Sequence, residues 1–220
     1  MHEYYRGKCN RVKSTYDRSA GFYDFVMGLS RYNATIEGLF DSIEVDLPDN
    51  PNILDVGCGT GLASKTIMNN FDGFCLTGVD CSQDMLRIYS NRFPEARIVL
   101  GDFNDEASLK CHESKECFDL ADDAYHMIIS CGAVSEYGDL ERILPLIHRI
   151  LADDGVFINL GVEKSLFSSL SGRFWKYNAS GSARLRSLLK SIGFSHVEKI
   201  EIPKKFFPSN LIRYIIKARK

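Results

Sequence analysis

An α/β fold built on a largely parallel sheet is the architecture this sequence predicts. Three observations carry it. Short apolar runs alternate with helical stripes along the chain. A glycine-rich turn in ILDVGCGTG joins the first such run to a helix. The next two runs, FCLTGVD and ARIVLGD, each close on an acid.

In chain order, Ile36, Leu39, Phe40 and Ile43 stand at helical spacing and predict an amphipathic helix over 35–43. The turn signal Pro48-Asp49-Asn50-Pro51 follows, then a strand over 52–57 and a helix at LASKTIMNN. A second strand spans 74–80, and Ser82 is the expected N-cap of the next helix. The third strand is 96–102. The acidic stretch 104–124 is expected to be a solvated insertion with a short helix. YHMIIS at 125–130 predicts the fourth strand. The stripe Leu140, Ile143, Leu144, Ile147, Ile150 and Leu151 predicts a helix, kinked or started late by Pro145. ADDG ends that helix, and a fifth strand covers 156–161. A helix over 182–192 stops at Gly193. Strands at 196–202 and 211–218 are joined too tightly for a helical crossover, so the last strand should run antiparallel.

Composition narrows the function classes. With 220 residues and 45% hydrophobic content, the chain can bury one full core. No apolar run reaches the roughly 20 residues of a membrane span. The first residues, MHEYYRGKCNRVKSTYD, contain no signal-like apolar stretch, so the expected location is cytoplasmic. Seven cysteines without a CxxC pair argue against a disulfide framework or a zinc site, and no metal is expected. Net charge is −2, yet residues 164–220 hold thirteen Lys and Arg against two acids. Such a basic end suits either a solvated face or an acidic partner.

The chemistry is read from Asp55-Val56-Gly57-Cys58-Gly59-Thr60-Gly61. Glycines between strand and helix allow a sharp turn and a close ligand approach. A dinucleotide fingerprint is G-x-G-x-x-G, whereas this chain has G-x-G-x-G and Leu62. The carboxylate of Asp55 would repel a pyrophosphate and suit a cationic amino group. Asp80 closes the second strand where an acid accepts hydrogen bonds from ribose hydroxyls. Asp102 closes the third and could meet an adenine amino group. Taken singly, each acid is also an ordinary cap or turn residue.

Together ILDVGCGTG, LTGVDCSQDML, VLGDF and MIISCGAVSEYGDLERILPLIHRILADDGVFI resemble the class I S-adenosylmethionine-dependent methyltransferases. Within them, the chain is most similar to the small-molecule enzymes typified by ubiquinone and menaquinone biosynthesis, a likeness that TYDRSAGFYDF extends. The resemblance implies a Rossmann-like, doubly wound seven-stranded sheet of order 3-2-1-4-5-7-6. It also implies an N-terminal helical lid over 1–46 and the catalytic domain over 47–220. The cofactor would be S-adenosyl-L-methionine, leaving as S-adenosyl-L-homocysteine. Gly57, Gly59 and Thr60 would frame its methionine part and Asp80 would hold its ribose, with Asp55, Cys58 and Gly61 also in the cofactor site. Cys81 and Met85 would flank the adenine, Asp102 and Phe103 would hold its outer edge, and Ser130 and Cys131 would face the sulfonium. Tyr16 and Tyr23 would close over the site.

Methyl transfer is an in-line displacement from an activated leaving group, so a dedicated base is optional. Tyr16 and His126 are the candidates for a catalytic contact, with His148 a further histidine near the motif. Tyr4, Tyr5, Tyr16, Phe22, Tyr23, Phe25 and Tyr32 could line an acceptor cap, as could Phe167, Phe174, Trp175 and Tyr177. The expected acceptor is a small organic molecule. The alternatives are a nucleic-acid or protein acceptor, suggested by the basic C-terminal segment, or a non-catalytic interaction module.

Overall fold

The computed structural model describes residues 31–164 and 179–220. Its elements are α1 (Tyr32–Glu37), β1 (Asn52–Val56), α2 (Leu62–Asn70), β2 (Cys75–Asp80), α3 (Gln83–Arg92), β3 (Arg97–Leu100), β4 (Lys110–Cys111), β5 (Tyr125–Cys131), α4 (Val134–Tyr137), α5 (Leu140–Ile150), β6 (Leu151–Val162), α6 (Ser182–Ile192), β7 (Ser195–Ile200), α7 (Ser209–Ile212) and β8 (Arg213–Arg219). The strands form one sheet in the order β4-β3-β2-β1-β5-β6-β8-β7. Strands β3, β2, β1, β5 and β6 pair in parallel, while β8 runs antiparallel between β6 and β7. The expected α/β class and the antiparallel last strand therefore hold.

Among the described residues the strand count is eight rather than seven. The extra strand is β4, from the acidic insertion, which adds antiparallel to the outer edge of β3. A two-residue strand has no period for a sequence to show. The remaining strands keep the expected order.

Helices cover both faces, which is why the central strands are apolar on both sides. Alternate residues of each strand serve opposite cores. Leu54, Ile128 and Phe157 pack beneath Ile143, Ile147, Leu185 and Leu189 of α5 and α6. Ile53, Met127 and Ile158 pack beneath Ile36, Ile67 and Leu86 on the other face.

Four local differences from the sequence reading have physical causes. The helix expected over 35–43 is α1 followed by a 3-10 turn at Leu39–Asp41, broken at Gly38. A Cβ on Gly38 would stand 2.4 Å from the Phe206 ring, so packing keeps this position to glycine, a poor helix former. Helix α5 starts at Leu140 and carries Pro145 inside it, so Pro145 does not delay its start. ADDG is a bulge in β6 rather than a separate turn, because Leu151 pairs with Tyr125 and Val156 with Met127. The short helix expected in 104–124 is a 3-10 turn at Glu106–Ser108.

The expected caps are present: Ser82 accepts from Met85 N–H, and Gly193 ends α6 in the left-handed region. No helix among the described residues is long and apolar enough to cross a membrane. Tyr4, Tyr5, Tyr16, Phe22, Tyr23, Phe25, Phe167, Phe174, Trp175 and Tyr177 lie outside the described residues, as does most of the expected lid.

Candidate functional site

The sheet order reverses between β1 and β5, and a cleft opens at the carboxyl ends of the parallel strands there. This is where doubly wound sheets hold small ligands. Val56, Val79, Asp80, Gly101 and Cys131 bring the strand ends to its wall.

The glycine turn is shaped by backbone bonds. The N–H groups of Gly57 and Cys58 both donate to Val79 O, at 2.8 and 3.0 Å, and Gly61 N–H donates to Cys58 O at 2.9 Å. This tight path puts Gly57, Gly59 and Gly61 at φ of 72°, 53° and 95°, where side chains are strained. A Cβ on Gly57 would stand 2.2 Å from that of Ala133, and one on Gly61 would stand 2.1 Å from the Phe93 ring. A Cβ on Gly59 would meet nothing within 4 Å. Gly59 also lines the cleft.

Asp80 organises the rim. Its Oδ2 accepts from Gly59 N–H at 2.9 Å and its Oδ1 from Ser82 N–H at 2.8 Å. One carboxylate thus fixes the turn after β1 to the start of α3, and its charge stays at the cleft wall. Asp102 lies across from it. Its Oδ1 accepts from Asn104 N–H at 2.9 Å and Asn104 Nδ2 at 2.7 Å, while Asn104 Oδ1 accepts from Asp139 N–H. The insertion is in this way tied to the start of α5.

Gly57, Gly59, Asp80, Cys81, Met85, Asp102, Phe103 and Cys131 of the expected site line the cleft together. Cys58, Thr60 and Ser130 are buried instead. Ser130 Oγ accepts from Val134 N–H at 3.1 Å, which shapes the loop after β5. Burial pushes the thiols of Cys58 and Cys131 well up, so both remain protonated. Sequence reasoning missed Asn104, Gly132, Ala133, Val134, Tyr137 and Ile143, which complete the wall. Gly132, at φ 78°, was the readable signal among them.

Asp55 is 1% exposed and lies behind the turn rather than on the cleft wall. Its Oδ2 accepts from Ser64 Oγ at 2.7 Å, and Ser64 Oγ stands 2.8 Å from Tyr89 Oη. Burial raises its pKa to about 7, Asp80 adds to the rise, and the Ser64 bond opposes it. The unfolded carboxyl titrates near ~3.9. Between about pH 4 and pH 7 the unfolded chain therefore ionises while the folded one holds its proton, so this group costs stability as pH rises. The expected cost above pH 7 is on the order of 4 kcal/mol. Thermal midpoints measured from pH 4.5 to 8 should fall less with pH in Asp55→Asn than in the parent. Parallel curves would show that Asp55 is not the titrating group.

The histidines lie elsewhere. His126 begins β5, roughly 16 Å of strand before Cys131, and its Nδ1 accepts from Asn52 N–H at 3.0 Å. His148 packs edge-on against Phe194 at 5.0 Å between ring centroids. No histidine is among the described residues lining the cleft.

A family described as a methyltransferase domain matches residues 53–155, the stretch that holds this turn and its acids. Residues 53–155 are a methyltransferase domain of the class I S-adenosylmethionine-dependent kind. A demethylmenaquinone methyltransferase of Chlorobaculum parvum is 26% identical over 66% of the chain and 56% of that protein. A malonyl-[acyl-carrier protein] O-methyltransferase of Magnetococcus marinus is 25% identical over 73% and 59%. An uncharacterized protein of Methanocaldococcus jannaschii is 27% identical over 94% and 74%. The chain thus spans less than two thirds of the two named enzymes. For the fold, a methyltransferase in complex with the Trm112 activator of Haloferax volcanii superposes with a TM-score of 0.71 at 18% identity, over 93% of this chain and 96% of that one. S-adenosyl-L-methionine is the cofactor of this domain, and the cleft suits it in kind: the Asp80 carboxylate, fixed by two backbone N–H groups, stands beside Gly57 and Gly59 on the cleft wall.

Proposed function

We propose that the chain methylates a small organic acceptor, with residues 47–220 as the catalytic domain and 1–46 as its lid. The observation that carries this reading is the Asp80 carboxylate, held by two backbone N–H groups at the wall of a cleft at the sheet's switch point. When bound, S-adenosylmethionine supplies a methyl group already activated on a sulfonium. The chain's own residues bind, orient and exclude water. Asp80 and Asp102 present acceptors for hydroxyl and amino groups. Met85, Phe103, Val134 and Ile143 give an apolar wall that keeps water from the reacting centre. With the Cys131 thiol protonated and no histidine among the described residues on that wall, positioning is the expected source of rate.

The names of the relatives point to organic acceptors, which supports a small-molecule reading. A macromolecular acceptor or partner draws on the basic C-terminal segment, on the acyl-carrier-protein substrate in one relative's name and on the Trm112 complex of a structural neighbour. Six of that segment's cations already face acids: Arg184 with Glu141, Lys199 with Glu163, Lys205 with Asp41, Arg213 with Glu136, Lys217 with Glu198 and Lys220 with Asp123. This pairing spends much of the local field a polyanion would need.

Calorimetric titration with S-adenosylhomocysteine, with NADH as control, tests the reading. Micromolar binding of the first alone is expected. Binding of neither would overturn it, and tighter binding of NADH would indicate hydride chemistry instead.

A further inference from the structure

A second polar cluster backs onto the cleft where β5, β6 and β8 end together. Arg213 opens β8, and its Cα pairs with Val162 at the carboxyl end of β6. Antiparallel β8 thus delivers a cation to the sheet edge that holds the cofactor cleft. The guanidinium lies 3.9 Å over the Tyr32 ring, and its side chain is 11% exposed. Glu136, from the short α4, has a side chain 8% exposed.

The two charges do not satisfy each other. Arg213 Nη1 and Glu136 Oε1 are 3.7 Å apart, close enough to attract but too far for a hydrogen bond. Among the described residues, Nε and Nη1 of Arg213 and Oε1 of Glu136 have no hydrogen-bond partner. Nearby, Asn159 is fully buried; its Nδ2 donates to Ser135 Oγ at 3.0 Å, and its Oδ1 is likewise unpartnered. Two buried donors on Arg213 and two buried acceptors beside it left open call for an explanation, and a ligand at the guanidinium is one. The cluster also adjoins the cleft. A Cβ on Gly132, which lines the cleft, would stand 2.8 Å from Tyr32 Oη and 3.7 Å from Glu136 Oε2. Arg213 and Glu136 both act electrostatically on Cys131, another cleft residue.

The geometry points to Arg213 as the anchor for a carboxylate on the methyl acceptor, placed beside the cofactor cleft by the Tyr32 ring and the Gly132 turn. The inference rests on the methyltransferase reading above and names the class of its acceptor. A guanidinium with open N–H donors on a planar stack matches carboxylate oxygens in charge and shape. A single negative charge suits the site better than a phosphate dianion, because Glu136 already stands beside the cation. Burial pushes the Glu136 carboxyl upward, and the charge of Arg213 opposes the rise.

The test uses protein saturated with S-adenosylhomocysteine, titrated with benzoate, malonate and succinate, with benzamide, malonamide and succinamide, and with inorganic phosphate. At least one carboxylate should bind below millimolar, at least 10-fold tighter than its amide and than phosphate. Arg213→Met should abolish that binding and Arg213→Lys weaken it at least 10-fold, each with S-adenosylhomocysteine affinity within threefold of the parent. The affinity for S-adenosylhomocysteine also reports whether each variant is folded. If Arg213→Met fails that control, Arg213→Lys and the acid–amide comparison decide. Equal binding of acids and amides, tighter phosphate binding, carboxylate binding that survives either variant, or no carboxylate binding to cofactor-saturated protein would overturn the proposal. Failure of the parent to bind S-adenosylhomocysteine would instead overturn the methyltransferase reading.

Discussion

Asp80→Ala should weaken S-adenosylhomocysteine binding at least about 100-fold while moving the thermal midpoint only a few degrees. The carboxylate takes one N–H from Gly59 and one from Ser82, so its loss frees the glycine turn and the start of α3 together. Both donors sit at the cleft rim, where water can replace the lost acceptor. The stability cost is therefore about 1–2 kcal/mol. Binding loses more, since a charge-assisted acceptor and the shape of the turn both go. A loss of about 2.7 kcal/mol corresponds to the 100-fold. Asp80→Asn should fall between, because an amide keeps one acceptor oxygen. Calorimetry and melting on the same samples separate the two effects. An affinity within threefold of the parent would remove Asp80 from the binding site.

Gly57→Ala should destabilise the fold by about 3 kcal/mol, combining left-handed strain with overpacking. The added methyl would stand 2.2 Å from the Ala133 Cβ. Neither side can yield easily: Gly57 N–H is bonded to Val79 O, and Gly132 N–H, next to Ala133, to Leu160 O. A drop of roughly 6–12 °C in melting temperature is expected for a chain of this size. Ala133→Gly in the same protein should recover most of it by removing the opposing methyl. Without recovery, the clash is not the cause. Gly59→Ala is the contrasting case. Its methyl meets open space, so stability should fall by only about 1 kcal/mol, and cofactor affinity should suffer because Gly59 lines the cleft.

Features that depend on neighbours in sequence were legible before the structure. The turn between β1 and α2, the acids closing β2 and β3, and the Ser82 cap all follow from residue types a few positions apart. Features set by distant partners were not. Phe206 fills the space a side chain at position 38 would need, and the residues that complete the cleft wall after β5 are positioned by Leu160 and Val134 backbone groups. The Arg213–Glu136 pair joins a strand to a short helix far away in the chain, and no local spacing signals it. His126 shows the converse: the motif brought it to attention, but strand direction carries it to the opposite end of the sheet.

The two borders of the sheet bear on how copies of this protein behave when crowded. An open strand edge is a template for edge-to-edge aggregation. On one side β4 and the bridge from Lys110 to Cys117 fold a small hairpin over β3. On the other, β7 is irregular between Ser195 and Glu198, His196 sits at φ 46°, and Glu198 and Lys199 bring charge to the strand. Neither border offers a long, flat, uncharged ladder. Growth of a continuous sheet from one molecule to the next is discouraged at both ends, so concentrated protein should resist fibrillar association so long as these borders stay folded.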